Sequence, residues 1–255
     1  MKLIIDTEAA TLQLEEHGAH SEHPLYSREA FEAVSRQWLR LGWVQQYYFT
    51  FTWMGRPILQ LPEDLLRLQE VVHSIRPDVI IETGVYSGGS LLFYSTICSA
   101  IGKGRIIGID KHIEPETRKA FAAHRLGGRI ALIEGNSIAP ETLRQVRALI
   151  RPDESVLVIL DSHHAREHVA AELQLYAPLV TAGSYLLVAD GIMRDLAGVP
   201  GGEASWAEDN PAAAAVEFAK HHPEFEQRQP EWEFNRSPLQ KNITYWPDGW
   251  LRRKP

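Results

Sequence analysis

Cysteine is nearly absent from this chain: Cys98 stands alone among 255 residues. A framework of internal disulfides is therefore excluded, and the composition suits a reducing compartment, so the expected location is cytoplasmic. Cys98, with Ile97 and Ala100 as neighbours, reads as a packed helix position rather than a reactive thiol. No run approaches the roughly 20 apolar residues needed to cross a bilayer. The early acids Asp6 and Glu8, with no long apolar core behind them, do not make a signal peptide. Basic residues are outnumbered, 26 Lys and Arg against 33 Asp and Glu for a net charge of −7, which argues against a nucleic-acid partner. Internal repeats and low-complexity segments are missing as well. What remains is an ordinary globular composition, 44% hydrophobic and 23% charged, in a length that suits one domain with an extension.

The most informative stretch is Val79-Ile80-Ile81-Glu82-Thr83-Gly84-Val85-Tyr86-Ser87-Gly88-Gly89-Ser90. Its β-branched start reads as a buried parallel strand, and Glu82 closes it. The three glycines let the backbone turn and approach a ligand closely. A phosphate-binding loop would carry a lysine after its glycines. Here Ser90 is followed by Leu91 and Leu92, so the expected ligand is not a polyphosphate. Strands at Val79–Glu82, Arg105–Asp110, Ile130–Glu134, Val156–Asp161 and Tyr185–Asp190 alternate with helices near Ser90–Ala100, Pro115–His124, Glu141–Leu149 and Arg166–Leu175. That alternation predicts an α/β fold, a mostly parallel sheet with helices on both faces. A further helix is expected over Pro211–Lys220, and Phe225–Gln227 with Asn242–Trp246 as an antiparallel pair at the sheet edge.

The first 60 residues differ in character. Ser27–Leu41 has apolar Phe31, Val34, Trp38 and Leu41 near a period of 3.6 and predicts a helix. Trp43, Tyr47, Tyr48, Phe49, Phe51 and Trp53 then crowd into eleven positions. Residues 1–60 are read as a helical, aromatic arm that acts as a lid or an oligomer contact, and 61–255 as the main domain. Self-association into a homo-oligomer is the corresponding expectation.

The strand ends carry the candidate chemistry. In an open parallel sheet, ligands bind beyond the carboxyl ends of the strands. Glu82, Asp110, the Glu134-Gly135-Asn136-Ser137 turn and Asp161 all fall there. Asp110 lies 28 residues after Glu82, about one β-α-β unit, and suits the two hydroxyls of a ribose. If the fifth strand lies beside the fourth, about 4.8 Å away, Asp161 and Asp190 can share one divalent cation. Without a cation, two close carboxylates raise one another's pKa. His164, three residues after Asp161, is placed to accept a proton from a substrate hydroxyl, with His163 and His168 as competitors.

These segments, together with Arg76-Pro77-Asp78, Leu160-Asp161-Ser162-His163-His164 and Tyr176-Ala177-Pro178-Leu179-Val180, resemble the family named for cephalosporin hydroxylase, from about Trp53 to Arg253. Its members are Rossmann-like, class I S-adenosylmethionine-dependent methyltransferases with a seven-stranded, mostly parallel sheet. The resemblance implies methyl transfer to a sugar or glycan hydroxyl, with S-adenosylmethionine and Mg2+ as cofactors. It implies that Glu82, Gly84, Tyr86, Ser87, Gly88 and Ser90 hold the methionine part of the cofactor. Asp110 with His112 would hold the ribose, and Asn136 and Ser137 the adenine side. Asp161 and Asp190 match acidic metal positions, with Asp161 also beside the cofactor, and His164 matches the general base. The family pattern is broken at Ala189 and Gly191, where relatives carry an acid or an asparagine, so the third metal ligand is missing or comes from elsewhere. The aromatic residues of the arm, as a substrate wall, or Trp206 and Phe234 from the later loops, are candidates to stack on the acceptor. The competing readings are a non-haem iron hydroxylase, using His163, His164 and Asp161, and a cofactor-binding protein without turnover.

Overall fold

A computed structural model of the chain describes residues 1–16 and 18–255. Strands β1 (Lys2–Asp6), β2 (Thr11–Glu16) and β3 (Ala19–Pro24) form a small antiparallel meander. Leu12 of the meander packs on Ala30 and Ala33 of helix α1 (Arg28–Val44). That helix starts at Ser27, whose hydroxyl accepts the Ala30 N–H at 3.2 Å and satisfies one free donor of the first turn. A 3-10 turn over Tyr47–Thr50 leads to the short hairpin β4 (Thr52–Trp53) and β5 (Arg56–Pro57). Helix α2 (Pro62–Ile75) opens with Pro62, where a missing N–H costs nothing, and with Glu63 and Asp64 at the positive end of its dipole.

The main sheet starts at β6 (Val79–Thr83), and α3 (Gly89–Ile101), β7 (Arg105–Asp110), α4 (Pro115–Ala123), β8 (Ile130–Glu134) and α5 (Pro140–Ala148) follow. The chain then crosses back to β9 (Val156–Leu160), α6 (Arg166–Tyr176), β10 (Tyr185–Val188), α7 (Pro211–His221), β11 (Phe225–Gln227) and β12 (Trp250–Arg253). Strand order is β11-β12-β10-β9-β6-β7-β8, with β12 antiparallel to both its neighbours. Strands β6, β9 and β10 are buried throughout, which is why they read as unbroken apolar runs. Successive residues serve opposite faces. Ile80, Ile106, Leu157 and Leu187 join one core, while Ile81, Ile107, Val158 and Leu186 join the other. Cys98 is buried, and burial pushes its thiol up to about 11, as a packing role requires. Among the described residues no helix is long and apolar enough to cross a membrane.

Two expectations need correction. The meander at residues 2–24 is not part of a purely helical arm. Its third strand, Ala19-His20-Ser21-Glu22-His23-Pro24, is held by pairing with β2 and buries almost nothing, so it carries no apolar alternation to read. Asn242–Trp246 is not the antiparallel partner of Phe225–Gln227 either; β12 takes that place, between β11 and β10. The segment is drawn off the sheet by Asp64 on α2, whose carboxylate accepts the Thr244 hydroxyl and, at 2.9 Å, the Tyr245 N–H. Pro247, which has no N–H to donate, and Asp248, at φ +58°, then turn the chain into β12.

Asp64 is 2% exposed. Burial pushes its carboxyl from 3.8 up to about 8, against the two hydrogen bonds that favour the charged form. The folded state therefore keeps a proton that the unfolded chain loses, and the stability tied to it is present at low pH and lost as pH rises through about 8. Urea unfolding from about pH 4.5 to 8.5 is expected to show wild-type stability falling relative to Asp64→Asn, by at most about 1.4 kcal/mol per pH unit. Parallel pH curves for the two proteins would show that Asp64 does not bind that proton.

Candidate active site at the carboxyl edge of the sheet

Beyond the ends of β6 and β9 the strand order reverses, and a cavity of about 660 Å³ opens there. Two glycines make room for it. Gly84 adopts φ +95°, and a Cβ at that position would stand 2.1 Å from the Asp161 carbonyl oxygen. A Cβ on Gly89 would stand 2.1 Å from the Pro57 carbonyl oxygen, so the β4–β5 hairpin presses directly on the glycine turn. Arg56 fastens that contact, donating from Nε to the Ser87 carbonyl at 2.7 Å and from Nη2 to Thr117 Oγ1 at 2.8 Å.

At one end of the cavity Asp110 organises the glycine turn. Its Oδ2 accepts the Val85 and Tyr86 N–H groups at 2.7 and 3.0 Å, and its Oδ1 accepts the His112 N–H at 3.2 Å. Gly84, Tyr86, Ser87, Ser90, Asp110 and His112 all line this end. Glu82 does not. It is fully buried and accepts the Ser90 and Tyr94 hydroxyls at 2.6 Å each, and burial pushes its carboxyl up to about 7. Its reach into the cavity is through Ser90.

Gly88, Asn136 and Ser137 also stand off the cavity. Gly88 lies against the Phe121 ring. Asn136 Oδ1 accepts the Ile138 N–H, and the Ser137 hydroxyl lies 3.2 Å from His168 Nε2. His168 is thereby committed to Ser137 and, at 3.6 Å, to Glu172, while His163 Nδ1 accepts the Ala165 N–H at helix entry. A pair of imidazoles beside one carboxylate, as non-haem iron requires, is not assembled among the described residues.

The other end holds Asp161, His164 and Asp190, each offering a ligand atom within 4.8 Å of the others. His164 Nε2 lies 3.6 Å from Asp190 Oδ2. Asp190 adopts φ +56°, a left-handed conformation that costs a non-glycine residue about 1 kcal/mol or more and aims its carboxylate at the group. Burial, and then the Asp190 charge, hold Asp161 well above the usual carboxylate range. Burial likewise raises Asp190, while His164 counteracts it. Gln60, 4% exposed, donates from Nε2 to Asp161 Oδ2 at 3.4 Å. Among the described lining residues there are four carboxylates, Asp110, Glu114, Asp161 and Asp190, and no Lys or Arg. Two hard oxygen donors and an imidazole without a balancing cation fit a divalent ion completed by water.

Trp43, Tyr48 and Tyr245 wall this acidic end. Trp206 packs edge-on behind Trp43 rather than facing the cavity, and Phe234 is 70% exposed and away from it. Sequence reasoning missed Gln60 and Tyr245. Gln60 lies in a loop with no motif, and Tyr245 fell in the expected strand, so only their burial reveals them.

A sequence profile described as Rhamnosyl O-methyltransferase/CmcI matches residues 45–254. The chain belongs to this family. Rhamnosyl O-methyltransferase of Mycobacterium leprae (strain TN) is 35% identical over 146 residues, 55% of this chain and 60% of that protein. The chain thus spans less than two thirds of that relative. Rhamnosyl O-methyltransferase of Mycobacterium bovis (strain BCG / Pasteur 1173P2) is 27% identical over 67% of this chain and 69% of its own length. The solved structure described as cmcI-D160 Mg-SAM superposes with a TM-score of 0.54 over 81% of this chain and 78% of its own, at 18% identity. The chain therefore has the Rossmann-like methyltransferase fold that its family resemblance implies.

Mg2+ at about 10 mM is expected to raise the melting temperature of the wild-type protein by a few degrees, because it binds the folded state. Asp161→Asn or Asp190→Asn should abolish the rise. Without metal, each variant should be at least as stable as wild type at neutral pH, since one of two repelling carboxylates is gone. A rise that survives both substitutions would put the ion elsewhere.

Proposed function

We propose that the chain is an S-adenosylmethionine-dependent O-methyltransferase that modifies a hydroxyl of a sugar or glycan, with Mg2+ at the acidic end of the cavity. The observation that carries this reading is a cavity at the sheet's switch point rich in carboxylates and free of Lys and Arg among its described lining residues. Such a site favours cations: a sulfonium, an ammonium and a metal ion. Membership of the family and the names of the mycobacterial relatives support methyl transfer and a sugar acceptor.

S-adenosylmethionine supplies a methyl group on a positively charged sulfur, so that transfer breaks the S–C bond, forms an O–C bond and leaves a neutral thioether. The chain's own work is mostly alignment of acceptor oxygen, methyl carbon and sulfur. Asp110 keeps lone pairs free for the ribose hydroxyls beside the ones it gives to Val85, Tyr86 and His112. Gly84 and the Ser87–Ser90 turn receive the methionine end, with Glu82 fixing Ser90. Asp161 and Asp190 would hold the divalent ion, which would supply positive charge that lowers the pKa of an acceptor hydroxyl. His164 stands beside that pair and takes the hydroxyl proton as the new bond forms. Its distance to Asp190 also favours a second reading, in which the imidazole is the third ligand.

The exposed row Phe31, Val34, Trp38 and Leu41 on α1 suits a contact between two copies of the chain, the basis for a homo-oligomer. Leu41→Glu is expected to lower the mass measured by sedimentation equilibrium; an unchanged mass removes α1 from the contact.

Calorimetry with S-adenosylhomocysteine is expected to show binding, weakened about tenfold or more by Asp110→Ala. His164→Ala should leave that affinity intact and reduce turnover on rhamnoside acceptors by about 100-fold or more. Unchanged Mg2+ affinity in this variant identifies a base, and a tenfold fall identifies a ligand. A wild-type protein that binds neither S-adenosylmethionine nor S-adenosylhomocysteine would refute the proposal.

A further inference from the structure

Trp43, Tyr48 and Tyr245 form an aromatic wall of the cavity. Trp43 and Tyr48 stack at 5.2 Å between centroids with 29° between planes, and Tyr245 stands edge-on to both at 6.0 and 5.9 Å. All three line the same cavity as Asp161, His164 and Asp190. The charge of Asp190 reaches the Tyr48 and Tyr245 hydroxyls, which, after burial, it helps hold above their usual range.

The wall is also fixed in place. Tyr245 is 3% exposed; its N–H donates to Asp64 at 2.9 Å and its hydroxyl to the Leu39 carbonyl at 3.3 Å. Its carbonyl accepts the Ile192 N–H at 3.0 Å, two residues beyond Asp190. One residue thus ties together α1, α2 and the turn that presents Asp190. Trp206 braces Trp43 from behind, at 6.0 Å. Trp43 lies outside the residues that match the family profile, which start at 45. This part of the wall belongs to the chain's own extension rather than to the shared methyl-donor site.

We infer that Trp43 and Tyr48, held by Tyr245, form the acceptor subsite. They take the C–H face of a pyranose ring and thereby turn its vicinal hydroxyls toward Asp161, His164 and Asp190. A pyranose has one face rich in C–H groups, which carry slight positive charge and match the negative face of an aromatic ring. Its hydroxyls at the rim stay free for the polar group opposite. Rings that are braced before the ligand arrives lose little freedom on binding. The arm is then an acceptor-recognition element, and the choice of sugar rests on residues 43–48 and 245 rather than on the glycine turn. This inference rests on the methyltransferase reading given above.

The test uses the full chain with Mg2+ and S-adenosylhomocysteine, titrated with methyl α-L-rhamnopyranoside and followed by saturation-transfer NMR. Wild type is expected to bind the rhamnoside, and Trp43→Ala and Tyr48→Leu to weaken it about tenfold or more. S-adenosylhomocysteine affinity, measured by calorimetry, should stay within about twofold. If Trp43→Ala does not fold, Tyr48→Leu decides the matter, because Tyr48 sits on a short turn, half-buried at the margin of the core, and leucine keeps its apolar contact there. Rhamnoside affinity unchanged in a folded variant overturns the inference, and so does an equal loss of both ligands. A wild type that binds S-adenosylhomocysteine but no rhamnoside up to about 100 mM also overturns it, while leaving methyl transfer standing. Failure to bind S-adenosylhomocysteine itself would instead bring down the methyltransferase reading.

Discussion

Two half-buried carboxylates, Asp161 and Asp190, stand beside one another, and among the described residues that line their cavity no Lys or Arg balances them. This is an unfavourable arrangement for a protein by itself. Burial and mutual repulsion both work against charge, and a single imidazole at 3.6 Å offsets only part of that. A divalent ion removes the conflict by supplying the missing charge, and hard carboxylate oxygens are what such an ion prefers. The rest of the site is organised around keeping this pair in register. Gln60 donates to one carboxylate, and the left-handed backbone at Asp190 aims the other.

Close backbone approach makes that register possible. Strands β6 and β9 run side by side to their ends, and the Asp161 N–H donates to the Thr83 carbonyl at 2.9 Å. Gly84 then passes so near the Asp161 carbonyl that no side chain fits. The same economy appears where Gly89 meets Pro57, so that the hairpin before α2 becomes a wall of the cavity. Arg56 turns this contact into a polar clamp between the arm, the glycine turn and α4. This end of the cavity is therefore built from the sheet, and the arm seals it.

The arm and the tail meet at the opposite end. Asp64 captures Thr244 and Tyr245 and removes their segment from the sheet, so the partner strand of β11 forms later in the chain. In exchange, Tyr245 joins Trp43 and Tyr48 over the acidic group. A buried acid on a helix thus acts on the cavity without touching it. Its elevated carboxyl pKa reflects the desolvation that this placement costs.

The parallel sheet, its helices, the glycine turn and the acids at the strand ends were legible in the sequence. They are short-range patterns: apolar runs for strands buried on both faces, a 3.6 period for helices, and glycines where the backbone must turn. The pairing of Asp161 with Asp190 was readable because adjacent parallel strands bring their ends together. The meander at residues 2–24 was not, since its third strand buries almost nothing. Nor was it legible that Glu82 would be consumed by Ser90 and Tyr94, or that Asn136 and Ser137 would stand off the cavity. Gln60 reaches Asp161 across 101 positions of sequence, and Tyr245 reaches Asp64 across 181. Contacts at such separations leave no periodicity behind, so the sequence by itself determined the parallel strands, their helices and the strand ends. Only the tertiary structure decided which side chains share the cavity.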